Sequence, residues 1–292
     1  MDSSDSPTFG KQEGSAYNGH FGYTCYHPLF VFNQFGDIER ALLRNDNVYS
    51  SDDWKSVLEP IIKRYQDKEI TRYFRGDAAF ANPDIYRLLE AEDYYYAIRL
   101  KGNNILQSHI EHLLTRPVGR PPKKPIVQYH SFRYQATSWE RDRRVVAKVE
   151  WHEGELFPRV GFIVTNLRWK HSNVVKFYNK RGTAEQWIKE GKYALKWTRR
   201  SCHDFDDNQV RLQLFCMAYN IGNFLRRLAL PKSINDWSLR TMREKLVKIG
   251  AKVVSHARYV TFQMAEVLVS RSLFYEILEK IKRLKPIPIG CG

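Results

Sequence analysis

The chain has 292 residues, 43% of them hydrophobic, and 47 Lys and Arg against 32 Asp and Glu give it a net charge of +15. That apolar content is enough to bury a large core and excludes a disordered tail, while the positive field makes nucleic acid the first partner to consider, a merely soluble basic protein being the alternative. No run approaches the roughly 20 apolar residues that span a bilayer, and MDSSDSPTFG lacks a charged-then-apolar leader pattern, so a cytoplasmic protein with no membrane partner is expected.

In chain order, the aromatic and β-branched run from Tyr23 to Phe32 and the segment Ile38 to Leu43, separated by the turn-like Phe35-Gly36-Asp37, predict two strands. Ser50-Ser51-Asp52 offers caps for a helix in which Trp54, Val57, Leu58, Ile61, Ile62 and Tyr65 recur at helical spacing. ITRYFRGDAAF reads as a strand running into Gly76 and Asp77. Asn82-Pro83 then opens a helix carrying Ile85, Leu88 and Leu89, YYYAIRL from Tyr94 to Leu100 is a further strand, and Asn103-Asn104 caps a helical stretch through Leu114. Strand and helix alternating in this way predict a mixed α/β fold with some parallel pairing.

The prolines and basic side chains of Thr115 to Pro125 mark an exposed loop, which either touches phosphates or is simply solvated. From Val127 to Arg168 three or four antiparallel strands are expected, with a turn at Gly154. Helix is predicted from Asn173 to Trp197 and from Phe205 to Leu228, the second with an apolar stripe of Val210, Leu214, Met217, Ile221 and Leu225; Pro231 ends it. A helix from Leu239 to Ile249, a hairpin through AKVVSHARYVTFQMAEV and a helix from Ser272 to Leu284 complete the chain. Cys25, Cys202, Cys216 and Cys291 show no C-x-x-C spacing and are expected to be reduced. No H-E-x-x-H occurs among the nine histidines, the pair His109 and His112 has no third ligand nearby in sequence, and no phosphate-cradling G-x-x-x-x-G-K-[ST] loop exists.

Tyr178, Arg181, Glu185 and Lys192 stand at offsets of 0, 3, 7 and 14, which on a continuous helix fall within an arc of roughly 60°. By residue type alone this is either a functional face or a solvated one with an i,i+4 Arg–Glu pair. The spacing resembles the Tyr-x2-Arg-x3-Glu-x6-Lys signature of bacterial insertion-sequence transposases with an Asp-Asp-Glu active site. YNKRGTAEQWIKEGKYALKW matches it at all four positions. YFRGDAAF followed by YYYAIRLKGN resembles the segment around that family's second aspartate, MDSS its first-aspartate motif, and SCHDFDDNQVRLQLFCMAYNIGNFLRRLALP its downstream region.

The resemblance implies a ribonuclease H-like mixed sheet flanked by helices, interrupted by an antiparallel β insertion between the second Asp and the Glu. Residues 1–115 would form the first part of that core, 116–170 the loop and insertion, 171–232 the catalytic-Glu helix and the helix after it, and 233–292 a C-terminal α/β tail. It implies Asp2, Asp77 and Glu185 as catalytic ligands for two Mg²⁺ or Mn²⁺ ions, since hard cations take carboxylate oxygens. Tyr178, Arg181 and Lys192 would contact DNA, and Trp139, Trp151 and Trp169 are either acceptors for a flipped base or packing residues. The implied partners are double-stranded DNA, as terminal inverted repeats and target, and a second copy in a homodimer on paired ends. Members normally carry an N-terminal helical DNA-binding region and a full first strand ahead of the first aspartate, so the expectation is an N-terminally truncated transposase. A non-catalytic DNA-binding remnant is the alternative, and an unrelated ribonuclease H-like nuclease a third class.

Overall fold

A computed structural model describes residues 1–45, 48–116, 118–119, 123–265 and 269–284. Short strands β1 (Asp2–Ser3), β2 (Ser6–Pro7) and β3 (Ala16–Asn18) precede β4 (Tyr23–Tyr26), β5 (Leu29–Phe32) and β6 (Ile38–Leu42). The strand expected from Tyr23 to Phe32 is thus divided at His27-Pro28. The proline has no amide hydrogen to give a ladder, its carbonyl accepts from the Ser4 amide at 3.0 Å, and the His27 amide turns away to the Arg44 carbonyl at 3.0 Å. The two halves join different antiparallel sheets, ordered β2-β4-β3 and β1-β5-β6.

Helix α1 (Trp54–Tyr65) follows Asp53, which is left-handed at φ 57° and makes no side-chain cap. The capping expected of Ser50-Ser51-Asp52 is not made, because the Asp52 carboxylate accepts instead from the Tyr49 amide at 2.7 Å. Next come β7 (Arg72–Gly76), α2 (Pro83–Ala91) and β8 (Tyr94–Leu100), the two strands parallel and joined by the crossover helix. Asn82 caps α2 through the Asp84 amide, with Pro83 in the first turn where no amide is needed. After α3 (Asn104–Ser108), three long strands β9 (Ile126–Tyr134), β10 (Arg143–Trp151) and β11 (Arg159–Thr165) form an antiparallel meander. These are the strands expected as an insertion, and they continue the sheet: β11 pairs with β8, Thr165 opposite Ala97, giving the order β7-β8-β11-β10-β9. The expected basic loop from Thr115 to Pro125 lies partly outside the described residues.

The Met1 ammonium donates to the Arg75 carbonyl at 3.0 Å, which ties β1 of one sheet to β7 of the other. Helices α4 (His171–Asn179), α5 (Gly182–Glu190), α6 (Phe205–Phe224) and the short α7 (Leu239–Met242) follow, then the hairpin of β12 (Ala251–His256) and β13 (Tyr259–Met264), and α8 (Arg271–Arg283). The hairpin was expected to run to Val267, but residues 266–267 fall outside the described residues.

Period-two alternation sorts the core into layers. Leu29, Val31, Tyr96, Ile98, Val145, Ala147, Val149, Phe162 and Val164 pack with the apolar faces of α1, α2 and α3. Their neighbours in sequence point the other way. Ala97, Val146 and Ile163 meet Val174, Val175 and Tyr178 of α4, and Phe30 meets Ile188 of α5, Trp197 and the α6 residues Leu212, Cys216 and Tyr219. The result is helices on both faces of mixed sheets, the α/β class predicted. Helix α6 also covers the outer edge of β6. Gln209 accepts from the Leu43 amide at 2.6 Å, Gln213 donates to the Ala41 carbonyl at 2.9 Å, and Asn220 both accepts from the Ile38 amide and donates to its carbonyl.

Two expectations for the helices fail. The α6 face that packs inward carries Asn208, Leu212, Cys216, Tyr219 and Asn223, so most of the predicted apolar stripe is exposed: Val210, Leu214, Met217 and Ile221 face solvent, and Leu225 is partly buried. Polar residues face inward there because Asn208 and Asn223 have partners waiting, the Cys202 carbonyl at 2.8 Å and Asp37 at 2.7 Å. The continuous helix expected from Asn173 to Trp197 is in three pieces, α4, α5 and a π-helical turn over Gly191–Leu195. Trp197 is fully buried, stacked on Phe30 at 4.9 Å, and its indole lies directly over Gly191. A methyl group there would overlap the ring, so Gly191→Ala is expected to lower stability by about 1–3 kcal/mol, read as a shift of the urea midpoint at unchanged slope.

Candidate active site

Three loci from distant parts of the chain meet at one guanidinium. Asp2 is fixed by β1, whose ladder places it opposite Phe30, and by the residue before it, Met1, which is bonded to β7. Asp77 follows the last residue of β7 and caps the turn Ala78–Phe80, one carboxylate oxygen accepting from the Ala79 amide at 2.9 Å. The other oxygen is left for a cation. Arg181 lies between α4 and α5, where its amide bonds to the Tyr178 carbonyl at 2.8 Å and the Ala184 amide to its own carbonyl at 2.8 Å. These i to i−3 bonds tighten the backbone and turn each residue further than an α-helix would, and Gly182 lowers the local cost of the break. The four signature positions therefore do not share one straight face.

Arg181 Nη2 lies 2.8 Å from Asp2 Oδ1 and 3.5 Å from Asp77 Oδ2, while its Nη1 lies 3.0 Å from Glu185 Oε1. Asp2 and Asp77 thus share a single nitrogen. The side chains grade from Asp2, 7% exposed, through Asp77 at 31% to Glu185 at 54%, so the cluster opens to solvent on the α5 side. Burial raises the Asp2 carboxyl above its ordinary range against the pull of Arg181 and the neighbouring ammonium. Burial also pulls Arg181 down, but Asp2 and Asp77 outweigh it and keep the guanidinium more firmly protonated than usual. The α-ammonium of Met1, fully enclosed, is pushed down to about 6 by its burial.

Tyr178 is buried in the α4 layer, its phenol pushed up by desolvation and within the field of Arg181, Arg99, Asp77 and Asp2. Lys192 departs from the set. It sits on the π-helical turn, whose smaller rotation per residue shifts its direction, and pairs with Asp5 at 2.7 Å; Asp5 in turn accepts from the Tyr23 hydroxyl at 2.6 Å. Trp139 and Trp151 are core residues, whereas Trp169 is 38% exposed beside the rings of Tyr73 and Phe177. His130 comes within 4.9 Å of His112, ring to ring, which sequence spacing did not reveal.

Among the described residues no group of three or more His, Cys, Asp and Glu side chains is arranged to hold a metal ion. The donors at Asp2, Asp77 and Glu185 are nevertheless of the kind a hard divalent cation takes, and they already converge on a positive charge. The set fits such an ion in chemistry, with the Arg181 guanidinium standing where the cation would compete.

Sequence reading missed Arg99 and Lys101. They line a groove of about 250 Å³ running past Ala78, and Lys101 also borders a second of about 370 Å³ with Tyr49, Ala78, Ala79 and Asn82. Both lie at the end of β8, where Ile98 pairs with Gly76, the residue before Asp77. The available signal was their alternation in RLKGN, which places two cations on one side of the strand end.

No helix among the described residues is long and apolar enough to cross a membrane. The family model for the transposase DDE domain, group 1, matches residues 1–286. No curated protein matches the chain.

Proposed function

The chain belongs to the transposase DDE domain family, group 1, and from that membership we propose that it is a DNA transposase catalytic domain, performing metal-dependent strand cleavage and transfer at insertion-sequence ends. The observation that carries the reading is the meeting of Asp2, Asp77 and Glu185, distant in sequence, on the one guanidinium of Arg181. The strand order β6-β5-β1 beside β7-β8, with an acid on the first strand and another at the end of β7, supports a ribonuclease H-like core, which the β9–β11 meander extends. The segments 1–115, 116–170, 171–232 and 233–292 are the proposed division of that architecture.

Asp2, Asp77 and Glu185 would hold two Mg²⁺ or Mn²⁺ ions. When bound, such ions activate a water or a DNA hydroxyl and stabilise charge at the phosphorus under attack. The chain's own groups do the rest. The Arg99 and Lys101 side chains line the two grooves, where they can meet phosphates, and the net charge draws the duplex in. Arg181 stabilises the acids before a cation arrives and, displaced, adds a fork of donors for a phosphate. Replacing it with alanine removes the competing charge, so Arg181→Ala is expected to tighten Mn²⁺ binding about tenfold, measured by titration calorimetry.

The position of that guanidinium also favours a second reading, a DNA-binding protein that does not cut. The two are separated by incubating the chain with duplex DNA carrying candidate inverted repeats in Mg²⁺, Mn²⁺ or chelator. Nicks that need the metal support the transposase. Salt-sensitive binding with no nick in any metal supports the second reading and rejects the first.

A further inference from the structure

The exposed side of α6 carries an unusually regular apolar row. Val210, Leu214, Met217, Ile221 and Phe224 are separated by four, three, four and three residues along α6, Leu228 follows on the π-helical turn Leu225–Ala229, and each is 41–63% exposed. A 4-3 alternation is the seam of two helices packed knobs-into-holes, whereas the opposite face of α6 already packs on β6 and Trp197. Side chains of this size at this exposure leave roughly 600 Å² of apolar surface per copy, most of the about 800 Å² per partner that a specific interface buries.

We propose that α6 is the interface between two copies of this chain, the helices packed antiparallel about a two-fold axis. The seam is self-complementary in that direction: within α6, Leu214 of one copy faces Phe224 of the other and Met217 faces Ile221, while Val210 lies toward the π-helical turn that carries Leu228. Charge selects the direction. The first turn carries Asp206 and Asp207, both exposed, and Lys232 is exposed just beyond the other end. An antiparallel pair brings the acidic first turn of one α6 toward the end of the other that precedes Lys232, while a parallel pair would set the aspartates of the two copies against each other. Arg211 and Arg227, which fall opposite one another, are each held on their own molecule, by Ser201 and by Asp37. The interface uses no residue of the acidic cluster, so its test is independent of catalysis.

Sedimentation equilibrium of the full chain, without DNA or metal, is expected to give the mass of two chains at micromolar concentration. Met217→Glu and Ile221→Glu, each exposed, are expected to give the mass of one chain with an unchanged circular dichroism spectrum. Mixing Leu214→Cys with Phe224→Cys chains under mild oxidation is expected to yield links between the two kinds, mapped by mass spectrometry. A wild-type chain that stays monomeric, a dimer that survives both glutamates, or links joining Leu214→Cys to itself would each overturn the proposal.

Discussion

Asp77→Asn and Glu185→Gln are each expected to reduce metal-dependent strand cleavage by roughly 10²–10³-fold or more, while leaving folding and salt-sensitive DNA binding in place. Both changes keep size and remove charge. Asp77 retains the acceptor that caps the Ala78–Phe80 turn, and Glu185 is more than half exposed on α5, so neither position anchors the core. What is lost is a hard anionic donor at the point where three carboxylates share one cation. Gel quantification of nicked duplex at saturating Mg²⁺ checks this, with binding measured in parallel by fluorescence anisotropy. Full activity in either variant would remove that residue from the proposed machinery.

The largest expected effect on stability lies away from that cluster. Glu90 of α2 accepts from Arg143 Nε and Nη2, both at 3.0 Å, from Arg141 at 2.7 Å and from the Tyr96 hydroxyl at 2.7 Å. Arg143 is 4% exposed and lies over the rings of Tyr86 and Trp139. Glu90→Ala would leave that guanidinium buried without its counter-ion and is expected to cost about 3–5 kcal/mol, measured by urea unfolding. Burial draws the Glu90 carboxyl upward, but the bonds from Arg143, Tyr96 and Arg141 outweigh it and hold it below the ordinary 4.5. A depressed acid stabilises the fold fully above its unfolded pKa and loses that contribution as pH falls through the folded value. Wild-type stability is therefore expected to decline below about pH 4.5 with a component that Glu90→Ala lacks.

Much of this was legible in the residues. Strands β7 to β11 and helices α1, α2 and α6 follow from apolar period, and Asn82-Pro83 marked the start of α2. Asp2, Asp77 and Glu185, distant in sequence, all contact Arg181. What sequence hid has local causes. Helical spacing put Lys192 on the face of Glu185, but the π-helical turn that begins at Gly191 carries it to Asp5. Periodicity reports the apolar stripe on α6 without saying which side of the helix meets the protein. The asparagines with buried partners decided that. Arg99 and Lys101 gained their meaning from a strand pairing that brings β8 beside Asp77.

The amide side chains of α6 that occupy the free side of β6 have a further result. With Gln209, Gln213 and Asn220 bonded along it, that border cannot recruit another strand, whereas β9 ends the five-stranded order β7-β8-β11-β10-β9 and is the border at which uncontrolled growth is expected. Precipitation during production would begin on β9, and a lysine or proline on its outward positions is the remedy to try first.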